Sequence, residues 1–292
     1  MFELAPYLRK QQVRVDAFLK AALPPVTTRP ALLHKAMTYS VLAGGKRFRP
    51  ILALAAAQAC GRPEAAALTA GAALELLHTY TLIHDDLPCM DDDDLRRGKP
   101  TCHIVFGEAN ALLAGDALQT LAFLWLAALP AAASPARLVA ELARAAGSQG
   151  VIGGQVEDLL AEGSRPSAAR LRYIHVHKTA VLIEAAVRLG AIAGGASEPQ
   201  IRQLGRYGLA LGLAFQIADD ILNATSTPEA LGKPVGSDQA RGKLTYVAVH
   251  GLPASRRMAR SLVRQAQAAL KDLPGPSAPL HALADYVICR KN

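Results

Sequence analysis

The sequence predicts an all-α protein built as one large helical bundle. Apolar residues make up 51% of the 292 residues, whereas aromatic residues make up only 5%. Alanine and leucine, which are strong helix formers, dominate the apolar set, and the β-branched and aromatic residues favoured in strands are sparse. No run alternates between apolar and polar residues for long enough to predict a sheet.

Helical periodicity recurs along the chain. Over residues 201–222, apolar and small residues follow steps of three and four, which indicates a buried helix face. The same periodicity predicts helices over residues 68–86, 110–129, 138–150 and 174–193. Segments rich in glycine and proline separate the helices, at residues 60–63, 130–135, 162–166, 194–199 and 273–279. No linker or fixed-length repeat divides residues 1–292, so we expect a single domain.

Charge, cysteines and hydropathy limit the possible partners and compartment. The formal net charge is +8, but the cations form no dense tract and no nucleic-acid motif, so we expect no nucleic-acid partner. Cys60, Cys89, Cys102 and Cys289 form no CxxC pair, which favours reduced thiols in a cytoplasmic protein. The first 20 residues have no apolar signal region, and the longest apolar stretch, 121–133, predicts no transmembrane segment.

The first segment that indicates chemistry is acidic. Residues 85–94 hold six carboxylates directly after an apolar helix, and Arg96 and Arg97 follow them. Such a cluster repels itself unless cations neutralise it, and oxygen ligands suit Mg²⁺ bound together with phosphates. A solvated acidic loop is the alternative. Pro88 should end the helix near Leu87, which lets the chain turn Asp91 back toward Asp85.

The second acidic segment lies within an apolar helix. Asp219 and Asp220 are adjacent, and Asn223 falls one turn beyond Asp219 on the same face. Because a buried, unpaired carboxylate is costly, these side chains should face a polar cavity or coordinate a ligand. A helix that simply ends in solvent with acidic residues is the alternative.

Cationic residues form a third group. Gly44 and Gly45 precede Lys46, Arg47 and Arg49, a set that suits phosphate recognition but lacks the spacing of a Walker A loop. His78 and the pair Arg96 and Arg97 add donors near the acidic cluster. Lys178, with Thr179 beside it, Lys233 and Lys243 lie further along the chain, and solvated lysines remain an equal alternative for each. His175 and His177 have no third ligand that would predict zinc.

These motifs together resemble the trans-isoprenyl diphosphate synthase family, and most closely its bacterial short-chain farnesyl diphosphate synthases. The resemblance covers nearly the whole chain, in order, through residues 45–50, 82–101, 153–155, 178–179, 215–222 and 242–243. It implies an all-α bundle of the isoprenoid synthase type with a central cavity, and a polyprenyl synthase domain that forms a homodimer. The implied reaction is the condensation of isopentenyl diphosphate with dimethylallyl or geranyl diphosphate, with three Mg²⁺ ions.

The resemblance also implies a role for each site residue. Asp85, Asp86, Asp91 and Asp219 are expected to bind magnesium, with Asp220 in support. The residues expected at the isopentenyl diphosphate are Lys46, Arg49, His78 and Arg97. The residues expected at the allylic diphosphate are Arg96, Lys178, Lys233 and Lys243. Thr179 and Gln216 lie where the family stabilises the allylic cation.

Product length and activity are the finer questions. The resemblance implies that Tyr80 and the small Thr81 form the floor of the product pocket. Tyr80 lies five residues before Asp85, about 7.5 Å along the helix axis. This favours farnesyl diphosphate, with geranyl or geranylgeranyl diphosphate as alternatives and a core tyrosine as the other interpretation of Tyr80. Asn223 replaces an aspartate usual in the family, which leaves a weakly active or non-catalytic partner subunit as a further alternative. Ala180 replaces a frequent glycine.

Overall fold

The computed structural model describes residues 2–163, 165–225 and 243–289. The predicted all-α class is confirmed, because helices account for nearly all of its regular structure. In the first half of the chain the helices are α1 (Leu4–Ala22), α2 (Ala31–Val41), α3 (Phe48–Ala59), α4 (Ala65–Asp85), α5 (Cys102–Phe106) and α6 (Glu108–Ala127). In the second half they are α7 (Pro135–Ala146), α8 (Val151–Ala161), α9 (Ala168–Ile174), a π-helix (His175–Ala180), α10 (Val181–Ala193), α11 (Glu198–Thr225), α12 (Tyr246–His250), α13 (Leu252–Ala268) and α14 (Ala278–Cys289).

The helices α3, α4, α10 and α11 form the centre of the bundle. α3 packs between α4 and α10, and α11 packs against α10 and α13. Small residues allow the close approach: a Cβ atom on Gly190 of α10 would lie 2.0 Å from the carbonyl oxygen of Ala53 on α3. Nearly every residue of α3 is buried, which explains its run of alanine and leucine.

A short β-hairpin departs from the expectation of no sheet. Strand β1 (Leu95–Arg96) pairs antiparallel with β2 (Lys99–Pro100), with Leu95 opposite Pro100 and Arg96 opposite Lys99. Two-residue strands cannot show a period of two, so the sequence pattern could not reveal them. The hairpin holds Arg96 just beyond the first acidic segment.

Three helix boundaries also differ from the predicted ones. The helix expected over 138–150 ends at Ala146, because Gly147 adopts an extended conformation. The helix expected over 174–193 contains a π-helical turn before α10. α11 begins at Glu198 and ends at Thr225, so Pro199 lies in its first turn, where proline is tolerated, and Asn223 is helical.

Two described helices, α4 and α6, are long and apolar enough to cross a membrane by length and composition alone. Of the apolar window, 67% is buried inside the fold in α4 and 33% in α6. A core helix of a soluble protein passes the same test, so this is weak evidence for a membrane span. The absence of a transmembrane segment therefore stays a prediction.

Candidate active site

The first acidic segment begins where α4 ends. Asp85 is the last helical residue, and Pro88 follows in a turn. The chain then reverses, and the backbone N–H of Asp91 donates a hydrogen bond of 2.8 Å to the carbonyl oxygen of Asp85. The predicted turn is confirmed: it brings Asp85 and Asp91 together, whereas a continuous helix would have separated them.

Asp85 lies in a partly buried position with an unusual affinity for protons. Burial raises the pKa of its carboxyl to about 6, and repulsion from Asp91 adds to the shift. The ammonium of Lys178 opposes it. The guanidinium of Arg96 also opposes the shift, so the rise comes mainly from burial, and a bound divalent cation would offset it by favouring the charged carboxylate.

Asp86 and Asp91 of this segment already have cationic partners. The guanidinium of Arg96 donates from Nε to both oxygens of Asp86, at 2.6 and 2.9 Å, and Asp86 is only 3% exposed. The ammonium of Lys243 lies 3.1 Å from Asp91. The structure thus joins Arg96 and Lys243, both predicted to bind the allylic diphosphate, to the acidic segment.

The donor set fits magnesium held jointly with phosphate. Among the residues that the structure describes, no three His, Cys, Asp or Glu side chains are grouped so that they could hold a metal ion by themselves. Mg²⁺ typically takes one or two carboxylates and completes its octahedron with phosphate oxygens and water. Asp85 and Asp91 supply such a pair, and the backbone hydrogen bond that holds them together, with the burial that raises the pKa of Asp85, supports the fit.

The space beside the first acidic segment is called the acidic cleft below. A π-helical turn on its other side carries Lys178 and Thr179. Helical turns of this kind often occur at functional sites. The ammonium of Lys178 lies 2.5 Å from Oδ2 of Asp158 on α8. α8 can approach this closely because a Cβ on Gly154 would lie 2.3 Å from the backbone nitrogen of Lys178. Ala180 is accommodated in the same way: a Cβ on Gly212 of α11 would lie 2.4 Å from the Cα of Ala180.

A chain of hydrogen bonds runs from Thr179 to the second acidic segment. The hydroxyl of Thr179 donates to Oε1 of Gln216 at 2.7 Å, and Nε2 of Gln216 donates to Asp220 at 3.0 Å. Asp220 also accepts from the backbone N–H of Tyr246 at 2.6 Å and lies 3.4 Å from Nε2 of the buried His175. These contacts fix the position of Asp220. Thr179, Gln216 and Asp220 line a cavity of about 180 Å³, and Lys178 and Lys243 also line it.

Asp219 connects the second acidic segment to the basic residues. It is half-buried on α11, and Asn223 follows it by one turn on the same face. Burial lowers the pKa of the Arg49 guanidinium, and the negative charge of Asp219 counteracts this effect. Asp219 is therefore near the cations of α3, at the junction of the two parts of the site.

A basic cavity of about 510 Å³ adjoins the acidic cleft. Its lining includes the four residues predicted to bind isopentenyl diphosphate, Lys46, Arg49, His78 and Arg97, with Phe48, Phe215 and Tyr286. The ammonium of Lys46 lies 5.9 Å from the ring centroid of Tyr286 on α14. Arg97 donates to the carbonyl oxygen of Gly44, and a Cβ on Gly45 would lie 2.6 Å from its Nη1. Gly45, with φ +131°, thus makes room for Arg97.

Glu75 is a cavity residue that the sequence analysis missed. It is 2% exposed, and its Oε1 accepts a hydrogen bond of 3.0 Å from Arg47. Arg47 also binds Asp16 and the carbonyl oxygen of Val41, so it supports the cavity wall instead of offering a free guanidinium. Glu75 is the one carboxylate of α4 before its terminal Asp85, and it was the available signal, because a buried charge needs a partner.

His78 should make the stability of the protein depend on pH. Burial lowers its pKa well below 6.5, and the charges of Arg49 and Arg97 lower it further. Below pH 6.5 the unfolded chain then binds a proton that the folded protein does not, so stability is present above this pH and is lost as the pH falls. We expect urea unfolding midpoints to drop between about pH 7.5 and about pH 5.5.

The matched variants separate His78 from the other titrating groups. His78→Gln should reduce this drop, whereas His34→Gln, on α2 outside the cavity, should leave it unchanged. Equal midpoint changes in the wild type and His78→Gln would contradict the assignment.

The residues predicted to limit product length lie on α4, one turn and more before Asp85. Tyr80 is 8% exposed, and its ring lies edge-on to that of His84 with centroids 4.9 Å apart. Burial raises the pKa of Tyr80, with Asp85 and Asp116 of α6 contributing. The neighbouring His84 reaches α6, since its Nε2 lies 2.9 Å from the carbonyl oxygen of Leu112. Thr81 donates to the carbonyl oxygen of His78 at 2.8 Å.

The structure therefore brings the predicted residues into two adjoining groups. One group surrounds the acidic cleft, and the other lines the basic cavity. Lys233, predicted to bind the allylic diphosphate, lies outside the described residues. Asp158, His175 and Glu75 belong to the site although the sequence analysis assigned them no role.

The chain resembles known proteins over nearly its whole length. The family model described as polyprenyl synthetase matches residues 30–274. Geranylgeranyl pyrophosphate synthase 12, chloroplastic, from Arabidopsis thaliana is 47% identical, over 100% of this chain and 82% of the relative. An FPP/GFPP synthase from Zymomonas mobilis has a TM-score of 0.86 and 37% identity, covering 98% of both chains. Geranylgeranyl pyrophosphate synthetase from Pyrococcus horikoshii has a TM-score of 0.89 and 30% identity, covering 98% of this chain and 99% of the other.

Proposed function

Because the chain belongs to the polyprenyl synthetase family, we propose that it condenses isopentenyl diphosphate with dimethylallyl or geranyl diphosphate and forms mainly farnesyl diphosphate. The single observation that carries the proposal is the pairing of two anion sites. A cavity lined by Lys46, Arg49 and Arg97 adjoins a carboxylate cleft whose lysines reach Asp91 and Asp158. One diphosphate suits the cations directly, and the other suits magnesium and lysine together.

The basic cavity would bind the diphosphate of isopentenyl diphosphate. Lys46 and Arg49 come from the entrance and first turn of α3, and Arg97 comes from the β-hairpin, so three separate side chains converge on one space. Guanidinium groups bind phosphate oxygens through paired hydrogen bonds, and lysine adds a compact charge. Phe48 and Phe215, with ring centroids 5.7 Å apart, provide an apolar wall for the hydrocarbon part.

The acidic cleft would hold the allylic diphosphate. Asp85, Asp86, Asp91 and Asp219 would hold magnesium, three ions in all, which would neutralise the negative charge that develops as the diphosphate leaves. Lys178 and Lys243 are within ion-pair distance of Asp158 and Asp91 and would exchange part of that contact for phosphate oxygens. Because Arg96 is bound to Asp86 through two hydrogen bonds, it would act from a fixed position.

The reaction would then depend on stabilisation of the developing charges and on exclusion of water from the site. The carbon–oxygen bond of the allylic substrate breaks, the double bond of isopentenyl diphosphate attacks the cation, and the released diphosphate takes the final proton. Thr179 and Gln216, already linked by a hydrogen bond, would direct their oxygen dipoles toward the cation. The apolar surroundings would protect it from water.

The position of Tyr80 supports a fifteen-carbon product. The ring is nearly buried and contacts His84, which reaches the Leu112 carbonyl oxygen on α6, and it lies five residues before Asp85. The hydrocarbon tail of a product that grows away from Asp85 along α4 would meet this ring after about 7.5 Å of helix. Relatives named as geranylgeranyl pyrophosphate synthases make the twenty-carbon product the competing outcome.

Tyr80→Ala is expected to lengthen the product. Removing the ring opens space between α4 and α6, so the main product should shift from fifteen carbons to twenty or more. Products made from labelled isopentenyl diphosphate and geranyl diphosphate would be separated by chromatography. Tyr7→Ala, on α1 and outside both the basic cavity and the cavity of Lys178, is the matched tyrosine control and should keep the wild-type product. An unchanged product in Tyr80→Ala, or a twenty-carbon wild-type product, would contradict the proposed floor.

We also propose that two copies of the chain associate through α5 and α6. Leu113 and Leu124 on α6 are 55% and 60% exposed and lie eleven residues apart, so they share one face. Ile104 and Val105 of α5 are also about half exposed and extend the apolar surface. A second copy would cover this surface, since exposed apolar patches of this kind usually mark interfaces.

The interface would be tested by Leu124→Glu. Light scattering should give twice the 30.7 kDa chain mass for the wild type and the single chain mass for the variant. The matched control is Leu160→Glu, at a leucine on α8 that is 62% exposed, and it should remain dimeric. A monomeric wild type would overturn the proposal, and lipid-dependent association would indicate a membrane-binding face instead.

A further inference from the structure

A second groove, of about 510 Å³, lies at the opposite end of α3 from the basic cavity. It is formed by the first half of α1, the end of α3 and the start of α14. The length of α3 separates this groove from the basic cavity by about 17 Å. None of the described residues predicted to bind substrate or magnesium lines it. Its size is in the range of small-molecule sites.

Gln11 provides the strongest indication that this groove binds a ligand. The side chain is 3% exposed, lines the groove and has an Oε1 atom without a hydrogen-bond partner. An unsatisfied buried acceptor costs about 1–3 kcal/mol. A ligand that donates a hydrogen bond to this oxygen would recover that free energy.

The neighbouring polar groups are already engaged with each other. The hydroxyl of Tyr7 donates to Oε1 of Gln58 at 3.1 Å, and Gln58 in turn donates to Glu64. Arg14 also binds Glu64 and neutralises it. This network fixes one wall and leaves the buried Gln11 oxygen, beside the groove, without a hydrogen-bond partner.

The remaining lining residues are cationic or apolar. Lys10 and Arg62 contribute the charged side chains of the described lining, and no carboxylate is among them. The rings of Phe2 and Tyr7 meet edge-to-face at 5.3 Å. Proline rings at 276 and 279 also contribute to the lining. A flat ring with one negative group matches this surface, because aromatic faces and proline rings pack against it and the cations attract the charge.

We propose that the groove binds a small aromatic carboxylate that carries a hydroxyl group. The ring packs against Phe2 and Tyr7, the carboxylate lies between Lys10 and Arg62, and the hydroxyl donates to Gln11. The site is separate from the prenyl transfer site, so binding is independent of the proposed reaction.

Calorimetric titration with three related compounds tests this proposal. 4-Hydroxyphenylacetate carries all three features, phenylacetate lacks the hydroxyl, and 4-methylphenol lacks the carboxylate. The wild-type protein is expected to bind the first about tenfold more tightly than either of the others, the size of one well-made hydrogen bond or charge contact. Binding should persist when geranyl diphosphate and magnesium are present, because the two sites are separate.

Two variants assign the contacts. Gln11→Leu should remove the preference for the hydroxylated compound, and Arg62→Gln, at an exposed position, should remove the preference for the carboxylate. Circular dichroism and retained prenyl transfer confirm that both variants fold. The proposal is overturned if the wild type binds the three compounds equally or not at all. It is equally overturned if geranyl diphosphate displaces the probe, or if both variants keep the wild-type preferences.

Discussion

Asp85→Asn is expected to lower kcat by about 10²- to 10³-fold, the effect of removing one main electrostatic contact to a transition state. The substitution keeps the size of the side chain and removes the charge that would hold magnesium at the departing diphosphate. Burial raises the pKa of Asp85 to about 6, so the carboxylate form is held in the fold at a cost. The metal-free variant should therefore be at least as stable as the wild type, which distinguishes loss of chemistry from loss of fold.

Asp92→Asn is the matched control for this prediction. Asp92 lies in the same acidic segment but is exposed, and its left-handed backbone, with φ +52°, suits asparagine. Steady-state rates at saturating magnesium should stay near the wild-type value for Asp92→Asn. If both variants lose activity equally, the acidic segment acts through its total charge, and the specific role of Asp85 is wrong.

Arg49→Met is expected to raise the KM for isopentenyl diphosphate by about 10- to 100-fold, because it removes a charged hydrogen bond worth about 1.5–3 kcal/mol. Arg49 lies in the basic cavity, its Nε is buried without a partner, and the nearby Glu75 counteracts the effect of burial on its pKa. Methionine keeps the apolar stem and removes the donors. The KM for the allylic substrate should change much less, because Lys178 and Lys243 are unaffected.

A surface arginine serves as the control for Arg49. The side chain of Arg144 on α7 is 72% exposed, and Arg144→Met should leave both KM values unchanged. An equal rise of both KM values in Arg49→Met would show that the variant disturbs the site as a whole. An unchanged KM for isopentenyl diphosphate would exclude the cavity as its binding site.

Much of the site could be predicted because its chemistry depends on local sequence. The proline after Asp85 predicted the end of α4 and the turn to Asp91, and both are present. Asp219 and Asp220 were conspicuous because charges are rare on an apolar helix. The resemblance implied a supporting role for Asp220, but the hydrogen bond that it accepts from the Tyr246 backbone was not predictable, because it depends on packing between distant segments.

Other features of the site depended on tertiary contacts that no local pattern encodes. Asp158 pairs with Lys178 across 20 residues, and Glu75 meets Arg47 across 28. The π-helical turn that carries Lys178 follows from packing against α8 and α11, since Gly154 and Gly212 leave the room for it. The β-hairpin strands are too short for a periodic signal. Asn223 lies on the face of Asp219 as expected, but its effect on magnesium binding stays a prediction.

The central claim is that two diphosphates bind in adjoining sites and that magnesium is required for their condensation. The most direct test is a single-turnover reaction of the purified protein with geranyl diphosphate and labelled isopentenyl diphosphate, with magnesium or with a chelator. We predict that labelled farnesyl diphosphate forms only with magnesium and only when both substrates are present. Absence of any elongated product at saturating magnesium, or equal product formation in the chelator, would contradict the account.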